Sequence, residues 1–437
     1  MRNYVLSRVI WLKDSITNAL NGDENRFRTA QLLYIISVCF ACYLDDTLRR
    51  VMFLVALFII DKTQRRASVV KEWRGLTKIT GWCFIVFGLW IILVPLVYGD
   101  ESLFERLRGV PRPLEIALWI WGAFVFAKDK YFNQKLLLTG ACACIFGVTF
   151  QFIQRVYLGF SPETHGWIFG MPAVWSALSI ICLLPWLVYL ILRADKSFNI
   201  LFYGMVLIGA LFVILVTYSS TMWFSFLSLF VILAFVLLLN NKYRPTKQVY
   251  CIMLLLLCLI MMLFVTFEFY APKINDRICD RICVELNQLS SINKNFDTFT
   301  TKRELIWIDA VNIIKQRPVY GYGWIDYSNT YAIKRCDKRI IDSHPHSSYL
   351  EAAFHTGIPG MSLFLLSLLL FSLICIKIIF IEHTRNVIAF AALLMLGAYV
   401  VGGFAESFFF LSRGHALLFW VPVSLLLTNN KCVLDND

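Results

Sequence analysis

Apolar residues run along this chain in blocks of membrane-crossing length, joined by short polar connections, and one long polar stretch interrupts the series late in the sequence. A helical crossing needs roughly 17–25 mostly apolar residues. By that measure about twelve spans are expected, near 30–44, 47–61, 79–98, 114–128, 133–153, 171–192, 199–217, 221–239, 248–270, 357–381, 387–405 and 413–428. The second and fourth are short, which suits a tilted or partly re-entrant passage. Alternating segments of about ten residues, the mark of a transmembrane β-barrel, are absent. The pattern therefore predicts an all-α, polytopic membrane protein with one large helical loop outside the bilayer.

Composition agrees: 59% of residues are hydrophobic and 16% charged, against about 25% charged in soluble domains. The formal charge of +12 would suggest nucleic acid in a soluble protein. Here Lys and Arg gather in short connections between apolar blocks, so they report orientation, and no nucleic-acid partner is expected. With the N-terminus in the cytoplasm, the connections at 62–78, 128–135, 193–198, 240–247 and 382–386 fall inside, and every one carries Lys or Arg. The alternate connections 218–220 and 406–412 carry none. The expected layout is a cytoplasmic or interfacial segment 1–29, spans one to nine in 30–270, an outer loop 271–356, three further spans in 357–428 and a cytoplasmic tail 429–437. Residues 1–29 lack the compact apolar stretch of a cleavable signal. Val5, Ile10, Trp11, Leu12 and Ile16 among Arg2, Arg8 and Lys13 suit a helix lying in the membrane interface. His165, His344, His346, His355 and His415 fall on or near the outer side, and His383 inside.

Of 13 cysteines, Cys39, Cys42, Cys142, Cys144, Cys251 and Cys258 sit in apolar blocks as small hydrophobes. Cys279, Cys283 and Cys336 lie in the outer loop, where one disulfide plus one thiol is open if that side is oxidising. A metal site on those three lacks a second nearby pair. The loop reads as folded. Asp276 to Cys283 is a tandem tetrad whose Ile and Cys recur at i and i+4. A helix is expected over 301–316, capped at Thr300 or Thr301 with Glu304 following, with Leu305, Ile308, Val311 and Ile313 or Ile314 on its apolar face and Pro318 ending it. Gly321-Tyr322-Gly323 reads as a turn. A further helix is expected from near His346, holding Tyr349, Leu350 and Phe354 against the membrane domain.

Chemistry is concentrated in this loop. His344-Pro345-His346 admits a hydrated histidine pair, a loose metal site with His355 and Asp342, or a general base at a helix start. Pro345 stiffens the approach to His346. Arg303 is either half of a surface ion pair or an anion clamp whose guanidinium fork matches phosphate oxygens. Glu406 and Arg413 bracket the last outer turn, either pairing with each other or facing a polar interior. Arg106, Arg108 and Arg112 occupy another outer connection and suit lipid headgroups or a substrate phosphate.

His346-Ser347, nine residues, then Gly357 resembles the His-[Asn/Ser/Gln]-x9-Gly signature of bacterial O-antigen ligases and the related O-antigen polymerases. The surrounding run from His344 to Met361 is similar to that family, as are Arg303-Glu-Leu-Ile-Trp307 and Arg317-Pro-Val-Tyr-Gly-Tyr-Gly323. The motifs cover about residues 200–430. The resemblance implies a GT-C-like membrane glycosyltransferase in the bacterial inner membrane with its active site facing the periplasm. It implies transfer of a glycan from undecaprenyl diphosphate to a sugar hydroxyl of lipid A–core, with inversion and with neither metal nor cofactor. Under it His346 is the base on the acceptor hydroxyl and Arg303 holds the donor diphosphate. Glu406 and Arg413 match a less sharply defined acidic and basic pair, and His344, Tyr349, Arg106 and Arg112 are further substrate contacts. The outer loop's scattered Asp297, Asp309 and Asp326 form no Asp-x-Asp pair, which suits arginines in place of a divalent ion. One position departs from the family pattern. Thr217 to Trp223 has Ser220 where the family commonly has Arg, so Arg106, Arg112 or Arg413 would have to supply that cation. A polymerase using lipid-linked repeats is the alternative within the same chemistry. A lipid-linked glycan flippase is the alternative outside it, and would call for charges near the bilayer midplane and internal span repeats; the span interiors are almost free of Lys, Asp and Glu, and no repeat is evident.

Overall fold

A computed structural model describes residues 23–59, 74–98, 111–127, 131–158, 173–217, 219–247, 249–250, 303–323, 345–382, 386–407 and 413–428. Among the described residues every regular element is helical. In chain order the α-helices are α1 (Asp23–Cys39), α2 (Asp46–Ile59), α3 (Gly75–Tyr98), α4 (Pro111–Phe126), α5 (Phe132–Leu158), α6 (Ala173–Arg193), α7 (Ser197–Val216), α8 (Ser220–Leu239), α9 (Arg303–Gln316), α10 (Ser348–Ile376), α11 (Val387–Gly402) and α12 (Arg413–Ser424). A π-helical turn, Lys377–Ile381, extends α10.

Among the described residues, five stretches are long and apolar enough to cross a membrane: Gly75–Tyr98, Phe132–Gln154, Ser197–Val216, Thr221–Leu239 and Ser348–Ile381. Pro113–Phe126, Ala177–Arg193, Val387–Gly402 and His415–Leu427 are apolar but shorter. The chain is a helical membrane protein, and the apolar helices among the described residues overlap the expected blocks. Of the shorter helices, Ala177–Arg193, Val387–Gly402 and His415–Leu427 are largely enclosed by others. The expected span at 248–270 and the tandem tetrad with Cys279, Cys283 and Cys336 lie outside the described residues.

α6 and α11 form the centre. Both are apolar around their whole circumference and buried along nearly their full length, as a helix without a polar face must be. α3 and α8 lie outside them and leave Val86, Leu93, Leu227, Phe235 and Leu238 exposed; such a surface faces lipid without penalty. At the α1 end the packing is aromatic. Phe53 stacks on Trp119 at 4.2 Å, Tyr34 stacks on Phe126 at 4.8 Å, and the Tyr34 hydroxyl donates to the Trp119 carbonyl. Arg49 is buried there because its charge is met. It pairs with Asp46 at 2.9 Å and Glu115 at 3.4 Å and donates to the Ala41 carbonyl.

Asp23 to Thr29 form the first turns of α1, with Glu24 and Arg28 paired one turn apart, and the rest of the expected interfacial segment, 1–22, lies outside the described residues. One expectation changes. The buried face of α9 is Ile306, Ala310, Ile313 and Ile314, while Ile308 and Val311 are exposed. α9 packs on α10 through Ala310, Ile313 and Ile314 against Ala353 and Phe354. That contact, and not the count of apolar residues, fixes which side turns inward. Arg303 and Trp307 fall on this inward side by helical spacing, since residues seven and three before Ala310 return to nearly the same face.

The feature that positions the site is a break in α10. The expected loop helix from His346 and the expected span from Gly357 are one helix, Ser348–Ile376, interrupted at Gly357 (φ 73°, ψ 176°). Pro359 follows and has no N–H to give. The break frees three carbonyls, and each is recaptured from another element. Tyr322 N–H donates to Phe354 O at 2.7 Å, Gly323 N–H to His355 O at 3.0 Å, and the Trp90 indole N–H of α3 to Thr356 O at 2.9 Å. In return Ile358 N–H donates to Pro318 O at 2.7 Å. Buried backbone groups must find partners, so segment 318–323 is a second strand of backbone laid into the gap. Glycine is required on both sides of this seam. A Cβ on Gly357 would strike Val319 O, and one on Gly321 (φ 66°) would sit 2.5 Å from Phe354 O. Tyr98 stacks on Tyr320 at 3.8 Å and ties α3 to the same segment.

Candidate functional site

Four elements bring the site together. Arg303 opens α9, His346 lies two residues before α10, Thr221 is in the first turn of α8, and Glu406 follows α11. The start of α10 is stapled to the turn after α11. Ser348 N–H donates to Gly403 O at 2.8 Å and to Glu406 O at 3.1 Å, and the Ser348 hydroxyl donates to Glu406 O at 2.8 Å. The Tyr349 hydroxyl adds a bond to Val400 O at 2.7 Å. His346 itself has φ 45°, the only non-glycine residue with positive φ among those described. Such a conformation costs of order 1–3 kcal/mol and persists where the surroundings over-determine it. Pro345 on one side and the Ser348 staple on the other do so.

The Glu406 carboxylate bridges two groups. Its Oε1 accepts from the Arg303 guanidinium at 3.0 Å, and its Oε2 is 3.3 Å from His346 Nδ1. Arg303 also donates to the Ala405 carbonyl and reaches the Thr221 hydroxyl at 3.5 Å. Exposure is graded: Glu406 is 8% exposed, His346 19% and Arg303 25%. Ion-paired with a guanidinium, Glu406 is a carboxylate and can only accept, so Nδ1 of His346 carries the proton. Nε2 is then the ring's lone-pair nitrogen. This is the arrangement in which a carboxylate orients an imidazole to act as a base and steadies the imidazolium once a proton arrives.

A second histidine is committed elsewhere. The His355 Nδ1–H donates to Gly323 O at 2.6 Å, and His355 Nε2 is 3.8 Å from Glu351 Oε1, both side chains being buried. Gly323 is thus gripped by its N–H and its carbonyl from one residue. Among the described residues no three His, Cys, Asp or Glu side chains come together as a metal-binding group.

Of the residues expected to matter, the structure brings together His346, Arg303 and Glu406. Glu406 had been expected to pair with Arg413 or face a polar interior; its side chain meets Arg303 and His346, and the Arg413 side chain lies outside the described residues. Tyr349 is half-buried, with its hydroxyl spent on Val400. His344 and Arg106 lie outside the described residues, as do the side chains of Arg112, Arg413 and Ser220. Thr221, next to Ser220, contacts Arg303, so a guanidinium does stand at the start of α8, supplied by α9. Ser348, Trp90 and the seam of Gly321 and Gly357 escaped sequence reasoning as positioning elements. The fixed interval from His346 to Gly357 and the Gly321-Tyr322-Gly323 turn were the traces of the seam.

No curated protein matches the chain. Residues 204–365 match the family model described as O-antigen ligase. The match runs from α7 through the break in α10 and includes Arg303 and His346, with Glu406 beyond it; over these residues the chain is similar to the O-antigen ligase family.

Proposed function

We propose that the chain is an O-antigen ligase of the bacterial inner membrane. On this reading it joins an O-antigen glycan, carried on undecaprenyl diphosphate, to a sugar hydroxyl of lipid A–core at the periplasmic face. The single observation that carries the reading is the Glu406 carboxylate held between Arg303 and His346 at 3.0 and 3.3 Å. His346 Nε2 takes the proton of the acceptor hydroxyl. The acceptor oxygen attacks the anomeric carbon from the face opposite the diphosphate, the carbon–oxygen bond to phosphate breaks, and undecaprenyl diphosphate departs with the electron pair. The product is inverted. Glu406 steadies the imidazolium, and Arg303 opposes the charge on the leaving group. The cleaved sugar–diphosphate bond supplies the driving force, and no metal or cofactor enters the scheme. His344, Arg106, Arg112, Arg413 and Tyr349 remain candidate contacts to glycan, core or headgroups.

The test is lipopolysaccharide on a gel from a strain lacking this chain, complemented with wild type or with His346→Ala at equal membrane levels. A ligase restores O-chains of all lengths on core, and the variant restores none. Core bearing a single repeat in the deletion strain would identify a polymerase. Full restoration by the variant would refute the catalytic role and favour transport.

A further inference from the structure

Two buried hydrogen-bonding groups lie close in the chain to the Arg303–Glu406 pair, one a helical turn after Arg303 and one directly after Glu406, and neither has a hydrogen-bond partner among the described residues: Trp307 Nε1 and Ser407 Oγ. Ser407 is 1% exposed and directly follows Glu406. Trp307 lies one helical turn after Arg303 on the inward side of α9, between Arg303 and the Ala310–Ile314 contact with α10. Buried polar groups in folded proteins are almost always satisfied, and an orphan asks for a reason. Two of them so near in the chain to one ion pair ask for a shared reason.

We infer that Trp307 Nε1–H and the Ser407 hydroxyl are binding donors for phosphate oxygens of the lipid-linked donor, and that they are engaged when an incoming anion draws the Arg303 guanidinium off the Ala405 carbonyl. The assignment rests on the ligase reading of the same site. An indole N–H and a guanidinium only donate, and a hydroxyl can donate. A donor set of this kind matches a ligand whose oxygens only accept, which describes phosphate better than a sugar hydroxyl, since the latter carries its own proton. The set also answers the departure at Ser220. Where an arginine is common in the family, neutral donors joining Arg303 bind the diphosphate without adding a second buried cation, whose desolvation would be costly.

The orphan state makes the test sharp. Removing a buried donor that has no partner among the described residues relieves a desolvation cost, so stability holds or rises. Removing one that binds ligand weakens ligand binding. Ser407→Ala is nearly isosteric and carries the stability arm, and Trp307→Phe keeps a ring while deleting the N–H. The full-length protein in detergent is titrated with undecaprenyl diphosphate bearing no glycan, and its melting temperature is recorded without ligand. The expected result is binding about tenfold weaker for each variant, with Ser407→Ala melting at or above wild type. Wild-type affinity in both variants overturns the assignment and leaves the ligase reading standing. A lower melting temperature for Ser407→Ala also overturns it, because the hydroxyl would then have an internal partner such as a held water. Weakening seen only with the glycosylated donor would place the contact on sugar, against the phosphate assignment. Should the wild-type chain itself not bind the diphosphate, the donor site is refuted together with these residues.

Discussion

Replacing Glu406 by Gln changes one atom and tests the whole arrangement. The backbone carbonyl of Glu406, which receives the Ser348 N–H and hydroxyl, is untouched, so the staple between α10 and the turn after α11 survives. The Gln carbonyl oxygen can still accept from Arg303. The amide N–H₂ then faces His346 Nδ1 and forces that nitrogen to accept, which moves the ring proton to Nε2 and removes the base. The loss is that of general-base catalysis, on the order of 10²–10⁴ in rate, equivalent to about 3–5 kcal/mol in the barrier. Stability should fall less, by about 1–3 kcal/mol, as expected when a charge-assisted hydrogen bond becomes a neutral one. The assay is the single-turnover rate of glycan transfer by purified protein, with the melting temperature measured in parallel. If Glu406→Gln transfers within about threefold of wild type, the carboxylate does not set the imidazole tautomer and the argument from this bridge fails.

Other consequences follow from the same geometry. Gly357→Ala should destabilise by several kcal/mol, because the new methyl strikes Val319 O and φ is 73°; low membrane yield or a large fall in melting temperature checks it, and near-normal yield would remove the need for glycine at the seam. His346→Gly should relieve the left-handed backbone cost of about 1 kcal/mol but lose the bond to Glu406, so the protein melts no higher than wild type and is inactive. Asp45, in the turn before α2, accepts from the Thr47 amide and hydroxyl and from the Leu48 amide, which hold its carboxyl below the usual range. Its contribution is therefore full above the unfolded value of about 3.9 and is lost as pH falls through the lower folded value. Acid titration should show local exchange at the start of α2 rising only below about pH 4, and in Asp45→Asn that rise should be absent.

What the sequence made legible was whatever repeats locally. Apolar block length marked helix positions such as 199–217 and 221–239 within a few residues of α7 and α8, because a helix that must face lipid or other helices is written in consecutive residues. The His346-to-Gly357 interval was legible as a motif but not as a structure. Its meaning depends on Pro318 to Gly323 and on Trp90, which is 266 residues from Thr356. Glu406 stands 60 residues from His346 and 103 from Arg303, and no periodicity links partners that far apart. The inward face of α9 was misassigned for the same reason. Ile308 and Val311 are as apolar as Ile306 and Ile313, and the choice between the two faces is made by Phe354 on another helix. Apolar composition records burial in protein and in lipid alike, so block length alone does not separate a helix enclosed by others, such as α6 or α11, from one that faces lipid.

The most direct test of the central claim is glycan transfer by the purified full-length protein with undecaprenyl-diphosphate-linked glycan and lipid A–core, in chelator, comparing wild type with His346→Ala. The account predicts an undiminished wild-type rate and a variant slower by at least about a hundredfold. A variant that still joins sugars at a rate within a few-fold of wild type would contradict it.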